Sequence, residues 1–336
     1  MKLLSVAVPC YNSQDYMRHA VESLLPGGDE VEILIVDDGS TDATGQIADD
    51  YARRYPGIVR AVHKENGGHG DAVMTGLANA TGLYFKVVDS DDWVDAQAYP
   101  RVLEVLRGFT GAPIDMLVSN YIYDKAGTAH HHITSYVHAL PQDRVFGWEA
   151  ARRFHKGQYI LMHSVIYRAQ LLRDCGLTLP KHTFYVDDLY VYEPLRHVKR
   201  LYYLNADFYH YYIGRDDQSV QEQVLMRRID QYLLVNRLMV SRVDLNTVGD
   251  VHLRRYMIGF LEIITAVSSV MLLMDGSKAA LEKRDALWAF IRERDPALYR
   301  RLRRGVLGRL VLAKTRAGRA TATLVYRVSQ KIYGFN

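Results

Sequence analysis

Cysteine is nearly absent. The 336 residues hold two, Cys10 and Cys175. They show no CxxC or Cys/His ligand spacing, which excludes a disulfide framework and a zinc signature and leaves both as inert thiols. Long apolar runs are also scarce. The opening run, Leu3–Pro9, is too short for a signal peptide or a membrane span, so the mature chain is expected to start here, in the cytoplasm. The longest run, Met257–Met274, nears spanning length but carries Glu262 and small polar residues, which predicts a buried helix. The start of the chain lacks the glycine-rich loop with a basic residue that a nucleotidyltransferase uses to hold a triphosphate. Acid is missing from the tail: between Pro296 and the C-terminus there are ten Lys or Arg and no Asp or Glu, so the net +4 of the chain conceals −6 elsewhere.

What is present is apolar enough, at 49%, to bury one large core or two smaller ones. Strand-like runs at Leu3–Pro9, Val31–Val36, Val59–His63, Tyr84–Val88 and Asp115–Ser119 alternate with helical spacing at Asp15–Leu25, Asp42–Tyr55, Gly70–Ala80 and Ala96–Leu106. That alternation predicts an α/β fold, a mainly parallel sheet with helices on both faces, and places any ligand beyond the carboxyl ends of the strands. Four polar turns fall there: Pro9-Cys10-Tyr11-Asn12, Asp37–Asp42, Asn66-Gly67-Gly68-His69-Gly70 and Asp89-Ser90-Asp91-Asp92. A further strand is predicted at Tyr159–Tyr167 and an acidic turn at Asp187-Asp188. Beyond Gln221 the pattern is helical, at Gln221–Ser241, Val251–Leu273, Lys278–Arg294 and an interrupted helix after Pro296. The partition is residues 1–220, an α/β catalytic domain, and 221–336, a helical extension ending in a basic tail over 296–336.

The Asp89-Ser90-Asp91-Asp92 turn carries the strongest chemistry. Three carboxylates in four residues repel one another and call for a cation; oxygen ligands suit Mg²⁺ or Mn²⁺, which would bridge them to a diphosphate. A helix N-cap would explain one of these acids but not all three. Asp37–Asp42 has an ordinary reading as a turn with a helix cap, and a functional one in which a carboxylate accepts a uracil imide N–H and Tyr11 offers an aromatic face. The Asn66–Gly70 loop would let its backbone approach a phosphate or sugar. A single histidine such as His69 more often makes a structural hydrogen bond or faces solvent. His130-His131-His132 has no accompanying acid or cysteine pattern and reads as a solvated loop. Trp93, Trp148 and Tyr159 are candidate faces for a sugar acceptor as well as ordinary core material.

Taken in order, Pro9-Cys10-Tyr11-Asn12, Val36–Asp42, Asn66-Gly67-Gly68 and Ala80–Tyr84 leading into Asp89–Asp92 resemble the family 2 glycosyltransferases, specifically over about residues 1–110 and more weakly to about 220. The resemblance implies a GT-A fold and a UDP-sugar donor. By it, Pro9, Tyr11, Asn12, Asp38, Asn66, Gly67, Gly68, Asp89, Ser90 and Asp91 bind the donor, Tyr11 and Asp38 at the uridine, while Asp91 and Asp92 hold Mn²⁺ or Mg²⁺. Asp188 matches the family's catalytic base, with Asp187 where the family usually has Glu. The donor part is then about 1–110 and the acceptor part about 111–220. Tyr211–Ser219 resembles a loop that folds over the diphosphate, with Arg215 as its cation. The Gln-x-x-Arg-Trp motif of processive synthases is missing, which favours one inverting transfer per encounter to a glycan or lipid-linked acceptor, in cell-envelope polysaccharide or glycolipid synthesis. A sugar nucleotidyltransferase and a non-catalytic nucleotide-sugar-binding module are the rivals.

The tail interleaves its cations with Val306, Leu307, Leu310, Leu324, Val325 and Val328, a pattern that suits a helix on an anionic membrane surface. Peripheral attachment at the inner face of the cell membrane is therefore expected, the alternative being a solvated helix packed on the catalytic domain, whose −6 would attract it. No nucleic acid partner is expected, and the long helices leave room for homo-oligomers.

Overall fold

The computed structural model describes residues 2–125, 132–155, 157–213, 222–313 and 315–333. They fall into two compact units, Met1–Phe154 with Ile160–Gly214, and His155–Tyr159 with Arg215–Asn336.

The first unit is built on a mixed sheet. Its strands are β1 Leu4–Cys10, β2 Val31–Asp37, β3 Val59–His63, β4 Tyr84–Val87, β5 Trp93–Val94, β6 Met116–Lys125, β7 His132–Thr134, β8 Val145–Phe146, β9 Val165–Arg168 and β10 Leu201–Ile213. The order is β3-β2-β1-β4-β9-β6-β10-β5, with β7 beside β6 and β8 beside β10. The β3-β2-β1-β4 half is parallel, β9 runs antiparallel to both its neighbours, and β6 and β10 are parallel. The helices are α1 Met17–Leu24, α2 Thr44–Arg54, α3 His69–Asn79, α4 Ala98–Gly108, α5 Ala169–Asp174 and α6 Asp187–Tyr192.

Alternation along β1 decides which helix goes where. Leu4, Val6, Val8 and Cys10 share one buried core with Met17 and Val21 of α1, Ile47 and Tyr51 of α2, and Val102 and Leu106 of α4. Ala7 points the other way, to α3, where a Cβ on Gly76 would lie 2.5 Å from that of Ala7. The period of two thus puts helices on both faces.

The predicted strand Tyr159–Tyr167 is corrected: only residues from Val165 onward form β9. The buried ammonium of Lys86 takes the carbonyl of His163 at 2.8 Å, and Ser164 N–H closes a turn onto Leu161, so residues 161–164 leave the ladder. Tyr159 belongs to the second unit.

That unit is helical: α7 Glu222–Arg227, α8 Ile229–Arg242, α9 Val251–Asp275, α10 Lys278–Arg294, α11 Pro296–Arg304, α12 Val306–Val311 and α13 Arg316–Tyr333. The helix expected over 221–241 is broken at Arg228, between α7 and α8. Asp250 caps α9 by accepting from His252 and Leu253 N–H, and Gly276 ends it with φ +69°. The helix α9 is long and apolar enough to cross a membrane, but most of its apolar stretch is buried. Ser268 and Ser269 return their hydroxyls to α9 carbonyls, and Ser269 also receives Trp288 Nε1 at 3.0 Å.

Candidate active site at the carboxyl edge of the sheet

Chain order reverses between β1 and β4, with β2 and β3 on one side of β1. Such a switch point opens a crevice beyond the strand ends, and the four polar turns lie along this edge. Pro9 marks where it begins. Pairing of β1 with β4 stops at Ala7, whose carbonyl accepts from Val88 N–H. Residue 9 faces the same way, where β4 has already turned aside, so the N–H that proline lacks has no ladder partner to lose.

The first two turns are interlocked. Asn12, at φ +50°, donates its N–H to Ser40 Oγ at 3.0 Å and accepts Thr41 N–H on Oδ1 at 2.9 Å. Ser13 N–H reaches Thr44 Oγ1 at 2.7 Å, and its hydroxyl meets that of Ser90 at 2.9 Å, tying β1's turn to β4's. Tyr11 is left 52% exposed.

Asp38 is buried and holds the glycine loop. It accepts Gly67 N–H at 2.9 Å, Gly68 N–H at 2.7 Å and Lys64 Nζ at 2.6 Å, while Asn66 Nδ2 donates to its carbonyl at 2.9 Å. Any contact from Asp38 to a donor base is made alongside these bonds. Gly68 has φ +84°, and a Cβ there would come within 3.0 Å of the His182 backbone; His182 N–H in turn bonds to Gly67 O at 2.7 Å.

The acidic turn after β4 is divided by its surroundings. Asp89 accepts His69 Nε2 at 2.8 Å. Asp92 is fully buried and accepts Tyr209 Oη at 2.5 Å and Tyr212 N–H at 2.8 Å, and Tyr209 Oη also accepts Asp89 N–H. Asp91 is half-buried. Burial pushes Asp89's carboxyl up, but His69 overrides this and holds it below the ordinary range. Asp92 is driven well up by burial and then by Asp91 and Asp89. His69 itself is disfavoured as a cation by burial, yet Asp89 raises it above an ordinary histidine.

Beneath this turn lie two groups the sequence did not single out as ligands. Lys86 is wholly buried, with Nζ 4.8 Å from the Tyr209 ring centroid; burial pulls it down to about 7, against the opposing pull of Asp89 and Asp92. His163 stacks on Tyr209 at 4.8 Å and lies tilted against Tyr211 at 4.3 Å between centroids, and burial lowers it to about 4. Its Nδ1 is buried without a hydrogen-bond partner. One ligand atom each of Asp89, Asp92 and His163 lie within 4.8 Å of one another. An orphaned imidazole nitrogen beside mutually repelling carboxylates fits a divalent cation.

Asp187 and Asp188 begin α6, with Val186 between them and Tyr185 at φ +66°. Burial raises both, Asp188 further through Asp187 beside it, while Asp187 also feels His69 and Asp89. Burial pushes the Tyr211 phenol well up, and the charges of Asp92, Asp187, Asp89 and Asp91 add to this. Arg215 and the 214–219 loop lie outside the described residues, as do His130 and His131; His132 is exposed on β7, its ring 6.0 Å from Tyr123. Trp93 stacks on His210 at 5.1 Å. Trp148 is buried core, the ordinary reading of that ring, and the half-buried Tyr159 packs on Phe260 at 4.4 Å.

Residues 5–166 match the profile of glycosyl transferase family 2. The chain carries a family 2 glycosyl transferase domain. Among curated relatives, EpsJ of Bacillus subtilis, an uncharacterised glycosyltransferase, is 39% identical over 103 residues, 30% of each chain. GgaA of the same organism, a minor teichoic acid biosynthesis protein, is 29% identical over 131 residues, 37% of this chain and 29% of that one. The match thus spans about a third of either relative. Residues 1–349 of Staphylococcus aureus TarS, solved with UDP-GlcNAc, superpose with a TM-score of 0.71 at 20% identity, over 98% of this chain and 92% of that one. The mannosyltransferase PcManGT of Pyrobaculum calidifontis, solved with GDP-Man and Mn²⁺, gives 0.53 at 13% identity, over 98% and 87%. The transferase domain has the GT-A-type fold these likenesses define, followed by a helical region.

Proposed function

We propose that the chain transfers one sugar from a UDP-sugar to a hydroxyl of a glycan or lipid-linked acceptor, with inversion at the anomeric carbon. The observation that carries this reading is the convergence of Asp89 and Asp92, after β4, with His163, where His69 is bonded to Asp89 and both of these are in electrostatic reach of Asp187 at the start of α6. The TarS fragment, which binds UDP-GlcNAc, supports a uridine donor, and GgaA's part in teichoic acid synthesis supports a cell-envelope product.

In this reading residues 1–110 hold the donor and 111–220 the acceptor. Tyr11 lies against the uracil, and the Asp38-held loop at Asn66, Gly67 and Gly68 brings backbone N–H groups to the donor. Asp91 and Asp92, with Asp89 and His163 behind them, hold Mn²⁺ or Mg²⁺. When bound, the cation neutralises the departing diphosphate. Asp188 takes the proton from the acceptor hydroxyl as its oxygen attacks the anomeric carbon; a carboxyl raised above the ordinary range is a stronger base for that step. Attack opposite the leaving UDP inverts the centre.

A donor-hydrolysis screen over UDP-, GDP- and TDP-sugars with Mn²⁺ or Mg²⁺ tests this. Release of UDP from one sugar, abolished in Asp91→Asn, is the expected result. Turnover of a sugar phosphate with a nucleoside triphosphate would favour the nucleotidyltransferase. Binding of UDP-sugar with no transfer, across a panel of glycan and lipid-linked acceptors, would favour the binding module.

A further inference from the structure

The last helices turn the usual amphipathic arrangement outward. Among the described side chains of α13 the buried position is the small Ala322, while Leu324, Val325 and Val328 are 62%, 39% and 47% exposed. Spacings of three and four put these three on one face. A helix whose apolar side served only to pack on its neighbours would show the reverse. Val306, the first residue of α12, is 60% exposed as well.

Charge accompanies the exposed apolar groups. Leu298 and Leu302 of α11 and Val311 of α12 are buried, which leaves Arg300, Arg301, Arg303, Arg304 and Arg309 at the surface, with Arg327 beside Leu324 on α13. Among the described residues, Arg301, Arg303, Arg304, Arg309 and Arg327 have no acidic partner. No Asp or Glu follows Asp295 in the sequence.

We infer that α11–α13 form a docking surface for an anionic lipid bilayer, with the arginines at the phosphate headgroups and Leu324, Val325 and Val328 entering the acyl boundary. Exposed aliphatic side chains at helical spacing match a headgroup–acyl interface and have no counterpart in a nucleic-acid backbone. A symmetric contact between two copies would set one arginine-rich surface against another. The inference stands independently of the sugar-transfer reading.

Vesicle flotation of the full chain tests it, with vesicles of phosphatidylcholine plus phosphatidylglycerol against phosphatidylcholine alone. Binding is expected to the anionic vesicles, and neutralising each of Arg301, Arg303 and Arg304 by Gln should weaken partitioning about fivefold. Leu324→Glu with Val328→Glu, at surface positions that leave the core intact, should reduce it at least as much and still do so in high salt, where the arginine contribution is screened. Equal binding to both vesicle types, or wild-type binding by the Leu324/Val328 variant, overturns the proposal. So does a stable dimer without lipid that this variant dissociates, which would assign the face to a second copy. Tight, salt-sensitive binding to duplex RNA without vesicle binding would assign it to nucleic acid.

Discussion

Asp38 shows how a residue with a functional resemblance first serves the fold. Its carboxylate satisfies two buried loop N–H groups and an ammonium. Asp38→Ala should therefore destabilise the transferase unit by about 3 kcal/mol, since it strands all three; denaturant unfolding of the variant reads this, and Asp38→Asn should lose less. His63, the last residue of β3, gives a pH signature of its own. Its hydrogen bonds to Asp37 and then Asp49 raise it above the ordinary histidine value. The stability it contributes is thus fully present below about pH 6.5 and lost as pH rises through the raised value. Melting temperatures across that range should fall more for the wild type than for His63→Gln. For the proposed base, kcat should decline on the acid side with an apparent pKa above that of an ordinary carboxylate. Asp188→Asn should cost 10²-fold or more, and Asp187→Asn less if Asp187 acts through the His69–Asp89 pair.

At the scale of the element, α3 is set by a close approach. A methyl at Gly76 would overlap Ala7 Cβ at 2.5 Å, so Gly76→Ala should push α3 off β1 at a cost of about 1–3 kcal/mol. Because α3 begins with His69, donor hydrolysis should fall with it. Adding Ala7→Gly should restore both stability and rate, an outcome that a loss of helix propensity alone would not give. The strands β1 to β4 were legible because each is a compact apolar run ending in a turn. The start of β9 was not: His163 and Ser164 sit inside an apolar stretch, and their partners, Lys86 Nζ on the His163 carbonyl and Tyr136 Oη at Ser164 Oγ, come from elsewhere in the chain. The break at Arg228 was equally invisible, since the helical spacing runs through it.

For the molecule as a whole, ligand linkage is the direct readout. Saturation with UDP and Mn²⁺ at about 100 times Kd should stabilise the folded chain by about 2.7 kcal/mol, a rise of several degrees in melting temperature. EDTA should remove the part due to metal and leave that due to UDP alone. Asp91→Asn should behave like the wild type in EDTA. If Mn²⁺ instead stabilises Asp91→Asn fully and His163→Ala not at all, the metal rests on the Asp89–Asp92–His163 group without Asp91.

Local sequence was enough to determine the strand ends and their polar turns, because strand periodicity and turn chemistry are written within a few residues and a parallel α/β sheet gathers its loops on one edge. It also determined the imbalance of charge between the tail and the rest. Only the tertiary structure decided which carboxylates face inward, that His69 pairs with Asp89, and that Tyr209, Tyr211, Lys86 and His163 underlie the acidic turn. Those relations join residues up to 120 apart, and each partner read alone is an ordinary tyrosine, lysine or histidine. Burial is what turns them into a site: out of water, an unpaired nitrogen or a third carboxylate has no solvent to satisfy it and must find its partner across the fold.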